Sequence, residues 1–169
     1  MLEVQTEGTG HILLCGQTAI PCRVGRNGIV PASVKREGDG RTPAGDWRLR
    51  TVYYRADRVD RPQTKLDCFP ITLKQGWCDA PDHPAYNTLV HLPFAASHET
   101  LWRQDNAYDI IVVLGYNDAP VRPHHGSAIF FHCLASGQTE TAGCVAVARE
   151  DMLEILAMLP GDPVMRIRA

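Results

Sequence analysis

Ser127-Ala128-Ile129-Phe130-Phe131-His132-Cys133-Leu134 is a short, almost wholly apolar run, preceded by Gly126 and followed by Ser136-Gly137. A run of this length between turn formers reads as a strand covered on both faces. After a turn-rich stretch the chain resumes with Thr141-Ala142-Gly143-Cys144-Val145-Ala146-Val147, whose last part, Cys144–Val147, reads as a second short strand. Working upstream, Ile110–Leu114 is a β-branched run of the same buried type. His11–Cys15, Ala19–Val24, Trp47–Tyr54 and Phe69–Leu73 read as further strands, with Gly16-Gln17 as a hairpin connection between the first two. The stretch Lys35–Gly45 is dense in turn formers and reads as a loop, as does Gly76–Pro84. Ser97 is placed to cap a short helix over Ser97–Gln104, with Glu99 in its first turn.

Downstream, Glu150 and Asp151 open a helix in which Met152, Ile155, Leu156 and Leu159 fall on one face; Pro160-Gly161 stops it. Pro163–Ile167 reads as a closing strand. The expectation is a mainly β fold with one or two short helices, residues 1–169 forming a single domain.

Composition agrees with a globular domain: 44% hydrophobic, 21% charged, with 14 glycines and 12 prolines for its turns. A net charge of −2 leaves no footprint for nucleic acid or an anionic membrane surface. No stretch nears the roughly 20 apolar residues of a membrane span, and Met1–Gly8 has no basic, apolar export signal. The sequence as it stands points to a cytoplasmic protein, or to a periplasmic or cell-wall one if an export signal has been removed. Six cysteines are irregularly spaced without a CxxC pair, so five of them read as buried reduced thiols rather than a disulfide framework.

The sixth, Cys144, follows Gly143. A glycine before a nucleophile lets the backbone bend until successive N–H groups converge, as an oxyanion site requires, and leaves the thiol exposed enough to react. Two readings stand at this residue: a nucleophile, or a small core residue opening a strand. His132 likewise reads either as a satisfied core histidine or as a base. The stretch after it is long enough to return the chain beside the first strand, setting imidazole near thiol.

These residues resemble a family. Phe131-His132 followed by Thr141-Ala142-Gly143-Cys144-Val145 is similar to the signature of the L,D-transpeptidase (YkuD) catalytic domain, a histidine, a spacer and Ser/Thr-x-Gly-Cys. Lys35–Gly45 resembles that family's Gly-Thr-Pro-x-Gly segment, and Gly76–Asp79, Tyr86-Asn87, Trp102, Tyr108-Asp109, Tyr116-Asn117 and Gly126–His132 look like one branch of it. The likeness runs from about Ile20 onward. It implies a β-sandwich-like fold and acyl transfer on peptidoglycan stem peptides or muropeptides, without a cofactor. By resemblance, Cys144 attacks the bond before D-alanine and forms a thioester, and His132 is the base, oriented by the carbonyl of Cys133. Gly143 and Cys144, with Ala142, would supply oxyanion donors, and Thr141 would shape the loop.

Ala146 stands where many members carry arginine, and the spacer is shorter than in many exported cross-linking members. The acceptor is therefore expected to be water (an L,D-carboxypeptidase acting in muropeptide recycling), on the absence of a signal peptide, with an amine acceptor giving cross-links as the other outcome. Carbapenem-type β-lactams are expected as covalent inhibitors. A non-catalytic muropeptide-binding module with a structural Cys144 is the competing reading.

Arg36, Arg41 and His125 are candidate contacts for substrate carboxylates. His124-His125, and Asp79 and Asp82 with His83, lack further ligands at a recognisable spacing, so no metal is expected. Lys35–Gly45 lacks the Gly-Lys-Ser/Thr ending of a phosphate-binding loop.

Overall fold

The computed structural model describes residues 1–169. In chain order the elements are β1 (Leu2–Glu7), β2 (Gly10–Cys15), β3 (Thr18–Cys22), β4 (Ile29–Pro31), β5 (Thr42–Tyr54), β6 (Cys68–Pro70), β7 (Gln75–Cys78), β8 (Leu89–His91), β9 (His98–Thr100), β10 (Ile110–Leu114), β11 (Phe130–Cys133), β12 (Val145–Val147), α1 (Arg149–Met158) and β13 (Val164–Ile167). A 10-stranded sheet runs β12-β11-β10-β5-β13-β1-β2-β3, with β4 and β6 added beside β5. Its two ends meet: Arg23, just past β3, exchanges both backbone hydrogen bonds with Ala146 of β12, each 2.8 Å. The sheet thus curls around one core of 24 buried residues, closed on one side by Met152, Ile155 and Leu156 of α1.

A separate sheet of three strands, β8-β7-β9, packs on the outer face of β10 and β11. Period-two alternation sorts the side chains of β11: Phe131 and Cys133 enter the main core, while Phe130 joins Trp77, Tyr108, Ile111 and Cys144 in a second cluster of 10. On β12, Val145 and Val147 likewise enter the main core. The nucleophile candidate therefore belongs to the smaller cluster, between the two sheets.

The mainly β expectation holds, with a single helix. Four local expectations change, the first at Gly76–Pro84, expected as loop, whose residues Gly76–Cys78 lie in β7 and pair with β8 and β9. Ser97–Gln104 forms no helix; His98–Thr100 is β9, paired antiparallel with β7, and the Ser97 carbonyl accepts from the Asp79 N–H. An isolated helix of that length is marginal, and pairing with β7 supplies the backbone bonds it would have made. Thr42–Gly45, expected as loop, opens β5, where it pairs with β4 and β13. The strand at Phe69–Leu73 stops at Pro70: Thr72 turns back onto the Gln75 side chain, and Leu73 is 70% exposed. The N-terminal residues, given no element from sequence, form β1 between β13 and β2.

Candidate active site

β11 and β12 are parallel neighbours, with Phe131 opposite Val145 and His132 opposite Ala146. This register sets Cys144 beside Phe130, whose N–H donates to Sγ at 3.3 Å. The thiol in turn donates to the carbonyl of Ala128 at 3.2 Å. The turn before it buries the thiol instead of exposing it: Cys144 is 7% exposed. All six cysteines are free.

His132 Nδ1 lies 2.7 Å from the carbonyl of Cys133. A carbonyl only accepts, so Nδ1 carries the proton, and in the neutral ring Nε2 is left with its lone pair. Burial pulls the imidazole down to about 4, against the opposing effect of the Cys133 and Ala107 carbonyls. Burial likewise pushes the Cys144 thiol up to about 12, with the Glu99 carboxylate adding to it. At neutral pH the resting pair is therefore a neutral thiol and a neutral base. Tyr108 packs edge-on to the imidazole, ring centroids 5.3 Å apart, and further restricts it.

His132 and Cys144 line one cavity of about 420 Å³, together with Thr141, Ala142 and Gly143. Gly143 has φ +142°, and a Cβ there would lie 2.8 Å from the Arg41 carbonyl, so only glycine fits the turn. Its N–H donates to Thr141 Oγ1 at 3.1 Å, and that hydroxyl donates to the Cys144 carbonyl at 2.7 Å. The Gly143 N–H is thus occupied within the loop, whereas those of Ala142 and Cys144 have no partner in the protein.

Arg36, Arg41 and His125 do not line this cavity. The Arg36 guanidinium is spent on the carbonyls of Ser33 and Lys35; Arg41 is exposed; His125 borders a different depression, beside Trp47 and Tyr116. The cations that reach the cavity are Arg26, Lys35 and Arg103, alongside the carboxylates of Glu37, Asp79, Glu99 and Glu140. Lys35 is 2% exposed and paired with Asp39 at 2.5 Å. Glu37 accepts from Tyr86 and from Ser127, and Glu99 from Tyr108. Burial raises the Glu99 carboxyl; Tyr108 and Arg103 oppose this, and the charges of Asp79 and Glu37 add to it. Asp79, Glu99 and Arg103 are delivered by β7, β9 and the loop after β9, a region that reads as irregular, whereas Arg26, Lys35 and Glu37 come from the loops on either side of β4. His124 pairs with Asp82 on the surface, and no group of three or more His, Cys, Asp or Glu is arranged to hold a metal ion. No helix is long and apolar enough to cross a membrane.

Asn87 organises the wall behind the thiol. Its Oδ1 accepts from Trp77 Nε1 (2.9 Å) and the Ala128 N–H (3.0 Å), and its Nδ2 donates to the carbonyls of Tyr116 (3.1 Å) and Asn117 (2.9 Å). This fills the four-bond capacity of the amide. It also fixes Ala128, a non-glycine residue at φ +52°, whose carbonyl holds the thiol.

The model of one protein family, the L,D-transpeptidase catalytic domain, matches residues 15–165. No curated protein and no solved structure matches the chain.

Proposed function

The chain belongs to the L,D-transpeptidase catalytic domain family, whose activity is of L,D-transpeptidase type on peptidoglycan peptides, and from that premise we propose that Cys144 is its nucleophile and His132 its general base. The observation that carries the assignment is the His132–Cys133 hydrogen bond, which leaves Nε2 with its lone pair on a ring that lines the same cavity as Cys144. Cys144 Sγ attacks the carbonyl of the L,D bond before D-alanine as its proton passes to Nε2. The C–N bond then breaks, His132 returns that proton to the leaving amine, and a thioester remains. An acceptor, water or the amine of a second stem, attacks the thioester, gives its proton to His132, and the thiol is regenerated. Because the resting thiol is neutral, the base has to act during attack; a standing thiolate does not supply the nucleophile.

Incubation with a disaccharide tetrapeptide, followed by mass spectrometry and with Cys144→Ala as control, tests this. Tripeptide plus free D-alanine identifies water as acceptor and an L,D-carboxypeptidase; cross-linked dimers identify an amine. The burial of the thiol and its bond to Ala128 also suit a second reading, a muropeptide-binding module in which Cys144 is structural. Unchanged tetrapeptide, together with no acylation of Cys144 by a carbapenem, would decide for that module.

A further inference from the structure

Thr42 lies 101 positions upstream of Gly143 in the sequence and is fully buried (0% exposed). Its hydroxyl donates to the Gly143 carbonyl at 2.9 Å and accepts from the Gly25 N–H at 2.8 Å. The Cys144 carbonyl, 3.5 Å away, is too distant to compete for the one hydroxyl proton. In a trans peptide the carbonyl and the following N–H point in opposite directions. Anchoring the Gly143 carbonyl on Thr42 therefore turns the Cys144 N–H away from Thr42, where it meets no partner in the protein. The flanking groups are already committed, since Thr141 takes the Gly143 N–H and holds the Cys144 carbonyl. Thr42 thus holds the Gly143–Cys144 peptide itself, and Thr141 holds the peptides on either side of it. A glycine without such a clamp has the freedom to rotate this peptide and turn the donor away.

We propose that Thr42 is a positioning residue for acyl transfer: through the Gly143 carbonyl it aims the Cys144 N–H at the oxyanion formed when Cys144 attacks a carbonyl. This rests on the nucleophilic role of Cys144 and not on the identity of the substrate. Its action is confined to reactions that build an oxyanion. Attack on p-nitrophenyl acetate builds one, with an S–C bond forming, p-nitrophenolate leaving and the thiol proton passing to His132. Displacement of iodide from iodoacetamide forms an S–C bond as well, but builds no oxyanion.

The experiment compares the two reactions at Cys144, by nitrophenolate release and by mass spectrometry, in wild type, Thr42→Val and Thr42→Ser. Thr42→Val is expected to slow ester acylation about 10²-fold, the usual effect of losing one oxyanion donor, while alkylation stays within about threefold. Thr42→Ser, which keeps the hydroxyl, is expected to restore acylation. Should Thr42→Val not fold, Thr42→Cys carries the same comparison with a weaker donor of similar size. Equal losses in both reactions, or no loss in either, overturn the proposal. Neither readout depends on turnover of a stem peptide, so failure of the peptidoglycan reading leaves this test standing.

Discussion

The Cys144 thiol donates to the Ala128 carbonyl rather than to the His132 imidazole that shares its cavity. Ala128 thus holds the proton that the base must collect, and the thiol is parked in a neutral, buried state. Alkylation of Cys144 by iodoacetamide is accordingly expected to rise steadily between about pH 7 and pH 10, because only the thiolate attacks and the thiol is pushed up to about 12. A plateau at neutral pH would instead reveal a preformed thiolate–imidazolium pair.

Cys144→Ala is expected to abolish turnover of a disaccharide tetrapeptide with little change in the unfolding midpoint, since it leaves a slightly smaller apolar side chain at the same place. His132→Ala is expected to retain a residual reaction slower by on the order of 10²–10⁴-fold, the usual cost of losing a general base. Product analysis by mass spectrometry checks both.

Folding stability is expected to fall as pH drops from about 6.5 to about 4. In the unfolded chain His132 binds a proton near its ordinary value of 6.5, whereas the folded protein holds it down to about 4. The unfolded state thus takes up more protons in this window, and stability is lost as pH falls through it, by up to about 3 kcal/mol from this residue. His11, lowered by partial burial, acts in the same direction, and Glu99, raised by burial, acts in the opposite one. The measurement is therefore the difference between wild type and His132→Asn in urea unfolding at the two pH values. Equal slopes in both proteins would contradict it.

Gly143→Ala is expected to cost about 1–3 kcal/mol, because alanine is strained at φ +142° and its Cβ would press on the Arg41 carbonyl. Acylation should fall with it, as relief of the contact moves the loop that carries Cys144. Urea midpoints and ester acylation rates measure the two effects.

Asn87→Leu is expected to destabilise the protein by at least about 2 kcal/mol, since Trp77 Nε1, the Ala128 N–H and two carbonyls lose their partners together. Ala128 then has nothing to hold it at φ +52°, and cysteine reactivity should change along with the urea midpoint. An unchanged alkylation rate in a destabilised variant would separate Asn87 from the thiol.

Sequence periodicity was sufficient wherever a segment's own pattern matched its final surroundings. Ile110–Leu114 is uniformly apolar because β10 is covered on both faces, and the spacing of Met152, Ile155 and Leu156 is that of a helix lying on a core. It failed at Ser97–Gln104, where a local capping signal competed with a strand partner, β7, lying well upstream. Thr42 shows the same limit within the site. Its neighbours mark a turn, but nothing near it indicates that its hydroxyl will meet Gly143. Cys144 and His132 stood out because each is a reactive side chain in a conspicuous local setting. Glu99 and Arg103 look like ordinary surface charges until the second sheet brings them to the cavity, and Glu37 until the loop before β5 does so.

β13, which follows every other strand in sequence, is inserted between β5 and β1 and not added at an edge. It joins the half of the sheet that carries His132 and Cys144 to the half that leads to Gly25 and so supports Thr42. Until residues 164–167 have emerged from the ribosome, these halves have no common strand between them. A growing chain therefore carries Cys144 before the sheet that supports the site is complete.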